Sequence, residues 1–265
     1  PRRWPNEPGM PGIIHFWGPY PYRSAFHSTS AQEETSRALQ HLRDTLTFEG
    51  PHTVAAIMLE TVVGTNGILV PPPGYLQGVR ELCDEHGIVY IADEVMAGFG
   101  RCGEWFAVDH FGVTPDLICF AKGVNSGYIP LGGVIISERI AASFQDRAFP
   151  GGLTYSGHPL ACASAVASIR IFEEEGILEN VRTLSASVIE PRLTEIAAKH
   201  PSVGDVRGLG FFWALDLVKD RQTREPLVPY NASGAAAAPM TAFAAACRAE
   251  GMWPFVHFNR THVVP

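Results

Sequence analysis

The sequence predicts an α/β fold, in which a mostly parallel, helix-covered sheet is followed by a smaller α+β unit. Apolar runs over 54–59, 88–92, 117–121 and 133–136 indicate strands, and they lack the polar–apolar alternation of a half-exposed strand. A helix-like segment separates the first two runs, which gives the strand–helix–strand order of a parallel sheet. Beyond residue 149 the pattern changes to helices and short antiparallel strands.

The N-terminal half contains an irregular segment and two helices. Residues 1–30 are rich in proline and aromatic side chains, so we expect a loop with one short strand, Ile13–Phe16. Helical periodicity follows the candidate cap Ser30 and predicts a helix over 32–47. A second helix is predicted over 75–86, between a Pro-Gly pair and a glycine.

The C-terminal part begins with two predicted helices, one starting near Pro159 and one over 178–199. Residues 203–218 predict an antiparallel unit with Gly208 and Gly210 as turn or bulge residues. A polar, then alanine-rich excursion, a helix over 240–250 and strands from residue 253 complete the expected order.

Bulk composition excludes several classes of function. The 265-residue chain has a net charge of −7 and no basic run, which argues against nucleic acid as a partner. No apolar stretch approaches the roughly 18 residues of a membrane span. The five scattered cysteines form no CxxC pair, and the histidines form no HExxH motif. We therefore expect a cytoplasmic protein without a metal site or a membrane anchor.

Three ionisable residues follow predicted strands of one sheet. Glu60, Asp93 and Lys122 each stand at the carboxyl end of an apolar run, where ligands bind to parallel sheets. Alone, a strand-end lysine usually points into water, a carboxylate often caps a helix, and Glu60 fits a solvated loop residue equally well. Asp93 and Lys122 lie 122 − 93 = 29 residues apart, which suits one crossover connection.

A lysine and a carboxylate in this arrangement can hold pyridoxal phosphate. The lysine forms a Schiff base with the aldehyde, and the carboxylate keeps the ring nitrogen protonated. We expect Lys122 to be partly desolvated and near the cationic ring, both of which lower the pKa of a lysine.

Two alternatives remain open at this point. Asp93 and the following glutamate resemble the magnesium-binding carboxylates of nucleotide hydrolases, although that function requires a GxxxxGK[ST] loop that is missing from these residues. Thr154, in the glycine-flanked segment GGLTYSGHP, can bind a phosphate or can be an ordinary turn residue.

Three segments together resemble the class III pyridoxal-phosphate aminotransferases: LETVVGTNGILVPPPGYL, YIADEVMAGFGRCGEWFAVDHFGVTPDLICFAKGVNSGYIPLGG and GGLTYSGHPLACA. The resemblance spans nearly the whole chain and implies the aspartate aminotransferase-like fold. It implies that residues 1–160 are the C-terminal portion of a large cofactor-binding domain and 161–265 a truncated small domain. The family's upstream phosphate cup and ring-stacking aromatic are not in these residues, so we expect a fragment.

The resemblance also implies roles for individual residues. Lys122 matches the Schiff-base lysine, and Asp93 matches the partner of the pyridine nitrogen. Val95 matches the apolar residue on the ring face, and Glu60 the glutamate near the ring oxygen. Thr154 matches the threonine that reaches the cofactor phosphate of the neighbouring subunit, which implies a homodimer.

One departure from the family pattern bears on the substrate. Met96 replaces the glutamine that is usual in acetylornithine, ornithine and 4-aminobutyrate aminotransferases. With Trp105, it is more similar to the ω-amino acid:pyruvate and taurine:pyruvate enzymes. The expected activity is therefore transfer from an ω-amino donor, such as taurine or β-alanine, to pyruvate or another 2-oxo acid. Alternatives are a 4-aminobutyrate or acetylornithine aminotransferase, an aminomutase, a decarboxylase or an inactive fragment.

Overall fold

The computed structural model describes residues 9–265, which form two β-sheets and seven α-helices. The strands of the first sheet are β1 Ala56–Glu60, β2 Val89–Asp93, β3 Leu117–Ala121 and β4 Gly132–Ile136. The strands of the second sheet are β5 Val203–Leu209, β6 Phe212–Asp220, β7 Glu225–Pro226, β8 Phe255–His257 and β9 Arg260–Val263. The helices are α1 Ala31–Glu49, α2 Tyr75–His86, α3 Glu138–Ala142, α4 Pro159–Glu174, α5 Ile177–Leu184, α6 Glu190–Lys199 and α7 Ala238–Ala249.

The first sheet has the strand order β1-β2-β3-β4, with β1 to β3 parallel and β4 antiparallel. Helices α1 and α2 cover one face, where Ile57 and Tyr90 pack against Leu42 and Val79. The other face exposes Met58, Val134 and Ile136. Within residues 9–265, therefore, helices cover one face of the sheet rather than the predicted two.

Local signals place α1 and α2 where they were predicted. The Ser30 hydroxyl accepts a hydrogen bond from the Glu33 backbone N–H at 3.1 Å and caps α1. Gly87 ends α2 in a left-handed conformation. The predicted strand Ile13–Phe16 is wrong, because these residues pair with no strand among those described. Residues 1–8 of the predicted N-terminal loop lie outside the described residues.

The long helix predicted over 178–199 is divided. Its first part is α5, its last part is α6, and a π-helical turn at Ser185–Ile189 joins them. Helix α4 begins at Pro159 as predicted. No helix within residues 9–265 is long and apolar enough to cross a membrane.

The second sheet is antiparallel, with the order β5-β6-β9-β8 and β7 paired to β6. Gly210 forms the predicted turn between β5 and β6 with a positive φ of 60°. Gly208, however, is neither a turn nor a bulge: it pairs with Trp213, and a Cβ there would collide with the indole. The register irregularity lies between Val203 and Asp205 instead.

A buried carboxylate joins the second sheet to the rest of the molecule. We call Asp216 and its partners the Asp216 cluster: Tyr20, Arg23, Arg207, Asn259 and Arg260. Arg207 also donates to the Gly67 carbonyl at 2.8 Å, and Arg260 donates to the Asn66 carbonyl. The cluster therefore ties the second sheet to the loop that follows β1.

Candidate active site

Glu60 and Asp93 lie side by side at the ends of β1 and β2, where they are partners in the parallel register. The Glu60 carboxylate accepts a hydrogen bond from the Gly64 backbone N–H at 2.8 Å. The Asp93 carboxylate accepts one from the Val95 N–H at 3.0 Å. Both side chains are half-buried. The turns after the two strands therefore fix both carboxylates at one edge of the sheet.

Lys122 directly follows β3, the neighbour of β2. Its φ of 47° lies in the left-handed region, which is uncommon for a non-glycine residue and often marks a functional site. Lys122 is exposed, so the expected partial desolvation is not found within residues 9–265. The reason is that the chain turns at the strand end and leaves the side chain in solvent.

The other two lysines of the sequence are engaged differently. Lys199 pairs with Glu195 at 2.6 Å, and Lys219 pairs with Glu225 at 2.6 Å. The side-chain amine of Lys122 makes no salt bridge or hydrogen bond with any of the described residues 9–265. Its amine is therefore the lysine nitrogen that is open to a reactive ligand in this part of the chain.

Electrostatics bring Glu60, Asp93 and Lys122 together as one group, which we call the strand-end cluster. Burial raises the pKa of Glu60, and the negative charge of Asp93 raises it further. The Gly64 N–H and the positive charge of Lys122 act in the opposite direction on the same pKa. The three charges therefore influence one another, as their places at adjacent strand ends require.

Reasoning from the sequence missed Glu94 as a site residue. Its fully buried carboxylate accepts hydrogen bonds from the Thr61 hydroxyl at 2.6 Å and from the Ala107 and Val108 N–H groups at 3.0 Å each. Burial raises the pKa of Glu94, and these hydrogen bonds lower it. The Asp-Glu dipeptide after a strand was the available signal, but the partners of Glu94 are not apparent from the sequence.

The two residues Val95 and Met96 lie next to the strand-end cluster. Val95 is half-buried next to Asp93. The Met96 thioether lies 3.6 Å from the Thr65 hydroxyl and so close to Gly64 that a Cβ there would collide with it. An apolar side chain thus stands beside the loop that binds Glu60.

Thr154 is exposed in the described structure. It stands in an exposed turn of the segment before α4, and the flanking Leu153 and Tyr155 are also exposed. Among residues 9–265, no hydrogen bond or ion pair joins Thr154 to Lys122. No group of three metal-ligating side chains occurs among the residues that the structure describes.

Comparison with known proteins identifies the family. The model of the aminotransferase class-III family matches residues 5–262, which is nearly the whole chain. The chain belongs to the class III aminotransferase family. The resemblance inferred from the three sequence segments is thereby confirmed.

Individual aminotransferases of similar sequence support the same family. The chain is 43% identical over 217 residues to the putrescine–pyruvate aminotransferase of Pseudomonas aeruginosa, covering 82% of this chain and 47% of the relative. It is 37% identical over 226 residues to the taurine–pyruvate aminotransferase of Bilophila wadsworthia, covering 83% and 49% respectively. The chain therefore spans about half the length of these curated relatives.

Solved structures agree on the fold. The taurine:2-oxoglutarate aminotransferase of Bifidobacterium kashiwanohense, in complex with PLP and glutamate, superposes with a TM-score of 0.91 at 41% identity. That match covers 97% of this chain and 57% of the other. An ω-aminotransferase of Paracoccus denitrificans gives a TM-score of 0.90 at 32% identity, covering 100% and 58%. The predicted α/β fold of the pyridoxal-phosphate-dependent transaminases is thus confirmed.

Proposed function

We propose that the protein containing this chain is a pyridoxal-phosphate-dependent aminotransferase that moves an amino group from an ω-amino donor to pyruvate or another 2-oxo acid. The observation that supports it most is the strand-end cluster, in which an unpaired lysine stands beside two carboxylates at the ends of adjacent parallel strands. The relatives that act on putrescine, taurine and pyruvate support the same reaction.

The residues of the cluster fit the cofactor. Lys122 offers an exposed amine without a competing ion pair in residues 9–265, as attachment to an aldehyde requires. One carboxylate oxygen of Asp93 accepts a hydrogen bond from the Val95 N–H, and the carboxylate accepts no other from the described chain, so its second oxygen would be free to accept the pyridine N–H. Val95 would pack on the ring face, and Glu60 would lie near the ring oxygen.

Pyridoxal phosphate supplies an electron-withdrawing ring that stabilises the negative charge on the donor carbon when its proton leaves. Lys122 would hold the cofactor aldehyde through its Nζ, and the same Nζ would carry the proton of the donor carbon. Asp93 would face the ring nitrogen and keep it protonated.

The remaining assignments complete the proposal. Thr154 would contact the cofactor phosphate of a second subunit, so the active form is a homodimer; its exposed turn is compatible with such a contact. The boundary between the large and small domains lies at residues 160–161, near the start of α4. We place the protein in the cytoplasm. Met96 lies beside the Gly64 turn that binds Glu60, and this apolar residue makes the chain more similar to the ω-amino acid:pyruvate and taurine:pyruvate enzymes than to the glutamine-containing ones.

An amino-donor panel tests the reaction. Full-length protein supplied with pyridoxal phosphate is given taurine, β-alanine, putrescine or 4-aminobutyrate with pyruvate or 2-oxoglutarate, and alanine or glutamate is measured. We expect alanine from at least one ω-amino donor. We expect Lys122→Ala to lose at least about a thousandfold in rate, because both attachment and proton transfer depend on this amine.

The matched control is Lys199→Ala, which removes an exposed lysine from an ion pair on α6. This variant should keep the wild-type rate. Alanine formation that persists in Lys122→Ala at the wild-type rate would refute the proposed chemistry. A product formed only by loss of carbon dioxide would favour a decarboxylase instead.

A further inference from the structure

Glu94 lies at a junction between the three strands whose ends bear the strand-end cluster. Its backbone N–H donates to the Cys119 carbonyl of β3 at 2.9 Å, and its own carbonyl accepts from Gly98 at 2.9 Å. Its side chain reaches across to Thr61, the residue after Glu60, at 2.6 Å. One residue thus contacts the end of β1, continues β2 and binds β3.

Both carboxylate oxygens of Glu94 accept hydrogen bonds from the protein. One carboxylate oxygen accepts from both the Thr61 hydroxyl and the Val108 N–H, and the other accepts from the Ala107 N–H. All three partners are buried donors. Both oxygens of the residue at position 94 must therefore accept hydrogen bonds if these donors are to be satisfied. A buried group bonded in this way has one orientation, because any rotation leaves donors unsatisfied.

We propose that Glu94 is a positioning residue, which through the Thr61 hydroxyl holds the end of β1 against the end of β2 and so sets Glu60 and Asp93 relative to Lys122. This inference rests on the proposed function for its catalytic consequence. Errors of about 1 Å in the placement of reacting groups cost as much as a hundredfold in rate, so a hydrogen bond that fixes a strand end can affect catalysis without touching the substrate.

The most direct variant is Thr61→Val, which keeps the shape of the side chain and changes no charge. We expect kcat to fall roughly tenfold while KM stays within about twofold, because placement of the carboxylates is impaired and substrate contacts are not.

Two controls separate positioning from a general loss of structure. Thr61→Ser retains the hydroxyl, and its kcat should lie within about twofold of the wild-type value. Thr45→Val removes a hydroxyl that bonds the His41 carbonyl inside α1, far from the cluster along the chain. This variant should leave kcat and KM unchanged. If Thr61→Val behaves like Thr45→Val, or if Thr61→Ser is as impaired as Thr61→Val, the proposal is overturned.

The variant Glu94→Gln tests the acceptor of the hydrogen bond from Thr61. Its amide NH₂ must face either the Ala107 N–H or the two donors on the other oxygen, so at least one hydrogen bond is lost. We expect Glu94→Gln and Thr61→Val to be non-additive, since each breaks the same link. Should Glu94→Gln fail to fold, the three threonine variants still decide the proposal.

A measurement without cofactor separates this inference from the proposed function. The thermal unfolding of cofactor-free full-length protein is compared for wild type, Thr61→Val, Glu94→Gln and the double variant. Non-additive midpoints support the link between the strand ends, and additive midpoints overturn it. If wild-type protein shows no cofactor absorbance at all, the proposed function fails and the positioning role fails with it, whereas the link is judged by the unfolding data alone.

Discussion

The strand-end cluster and the Asp216 cluster both contain charged side chains of a sheet, but only the second one has hydrogen bonds between its charged side chains. Asp216 is completely buried, and its carboxylate is bonded on both oxygens at the following distances: Arg23 2.8 Å, Asn259 2.7 Å, Tyr20 3.0 Å and Arg260 3.1 Å. Lys122, by contrast, is exposed and makes no ion pair with residues 9–265.

The difference in pairing distinguishes a charge that stabilises the fold, that of Asp216, from one that can react, that of Lys122. A buried carboxylate is stable only when its partners satisfy it, and Asp216 has enough of them to orient the second sheet against the loop after β1. A nucleophilic amine needs the reverse condition, because an amine held in a salt bridge is less available to an aldehyde. The three predictions that follow test this contrast.

The largest expected effect on stability comes from the paired cluster. Asp216→Asn removes the charge that faces three arginines, and we expect the free energy of unfolding to fall by about 3–5 kcal/mol. Chemical denaturation of full-length protein measures the change. The control Asp146→Asn, at an exposed position, should stay within about 0.5 kcal/mol of wild type. An equally small change for Asp216→Asn would show that the cluster does not stabilise the fold.

The second prediction concerns the strand-end cluster. Asp93→Asn should lower the rate of the half-reaction with the amino donor about a hundredfold, which is roughly 3 kcal/mol of barrier, because the ring nitrogen loses its anionic partner. Stopped-flow absorbance of the cofactor measures the rate. Cofactor binding and the unfolding midpoint should change little. A wild-type rate would show that the ring nitrogen has another partner, whereas a large loss of stability would place Asp93 with the structural charges.

The smallest expected effect is a pH dependence at the second sheet. Burial lowers the pKa of His262 to about 4, and the nearby His257, Arg207 and Arg260 act in the same direction. The folded protein therefore binds fewer protons than the unfolded chain between about pH 4 and 6.5, so stability contributed by neutral His262 is present above pH 6.5 and is lost as pH falls through this window.

Comparison of unfolding at pH 7 and pH 5 tests this dependence. His262→Asn should remove about 1–2 kcal/mol of the wild-type loss, a value that allows for partial solvent screening. The exposed His52→Asn should keep the full wild-type loss. Identical pH dependence in wild type and His262→Asn would contradict the assignment of this effect to the second sheet.

Local patterns explain which parts of the fold were predictable. Helix α2 has its predicted bounds because Gly74 and Gly87 both adopt left-handed conformations at its ends. Strand β3 has its predicted bounds as well, since the run Leu117–Ala121 is apolar throughout. The strand-end placement of Glu60, Asp93 and Lys122 followed from strand order alone.

Long-range contacts explain what the sequence could not show. Tyr20 and Asp216 are separated by 196 residues, and no spacing rule links them. The bond between Thr61 and Glu94 spans 33 residues and depends on the parallel register of β1 and β2. The exposure of Lys122 within residues 9–265 was also not apparent from the sequence, because a strand-end position does not reveal which way the following turn directs the side chain.

The exposed apolar face of the first sheet is a second feature that the sequence did not show. The strands lack alternation, which is typical of a sheet covered on both sides, and yet Met58, Val134 and Ile136 are exposed within the described chain. Residues 9–265 provide α1 and α2 for one face only. The apolar pattern of the strands thus indicates that both faces of the sheet can be buried, but it does not indicate which segments bury them.

The identity of the lysine that binds the cofactor tests the central claim most directly. Full-length protein is incubated with pyridoxal phosphate, reduced with borohydride and digested, and the peptide that gains the pyridoxyl group is sequenced by mass spectrometry. The account predicts that the modified residue is Lys122. Modification of Lys199, Lys219 or any other lysine in place of Lys122, or no covalent modification at all, would contradict it.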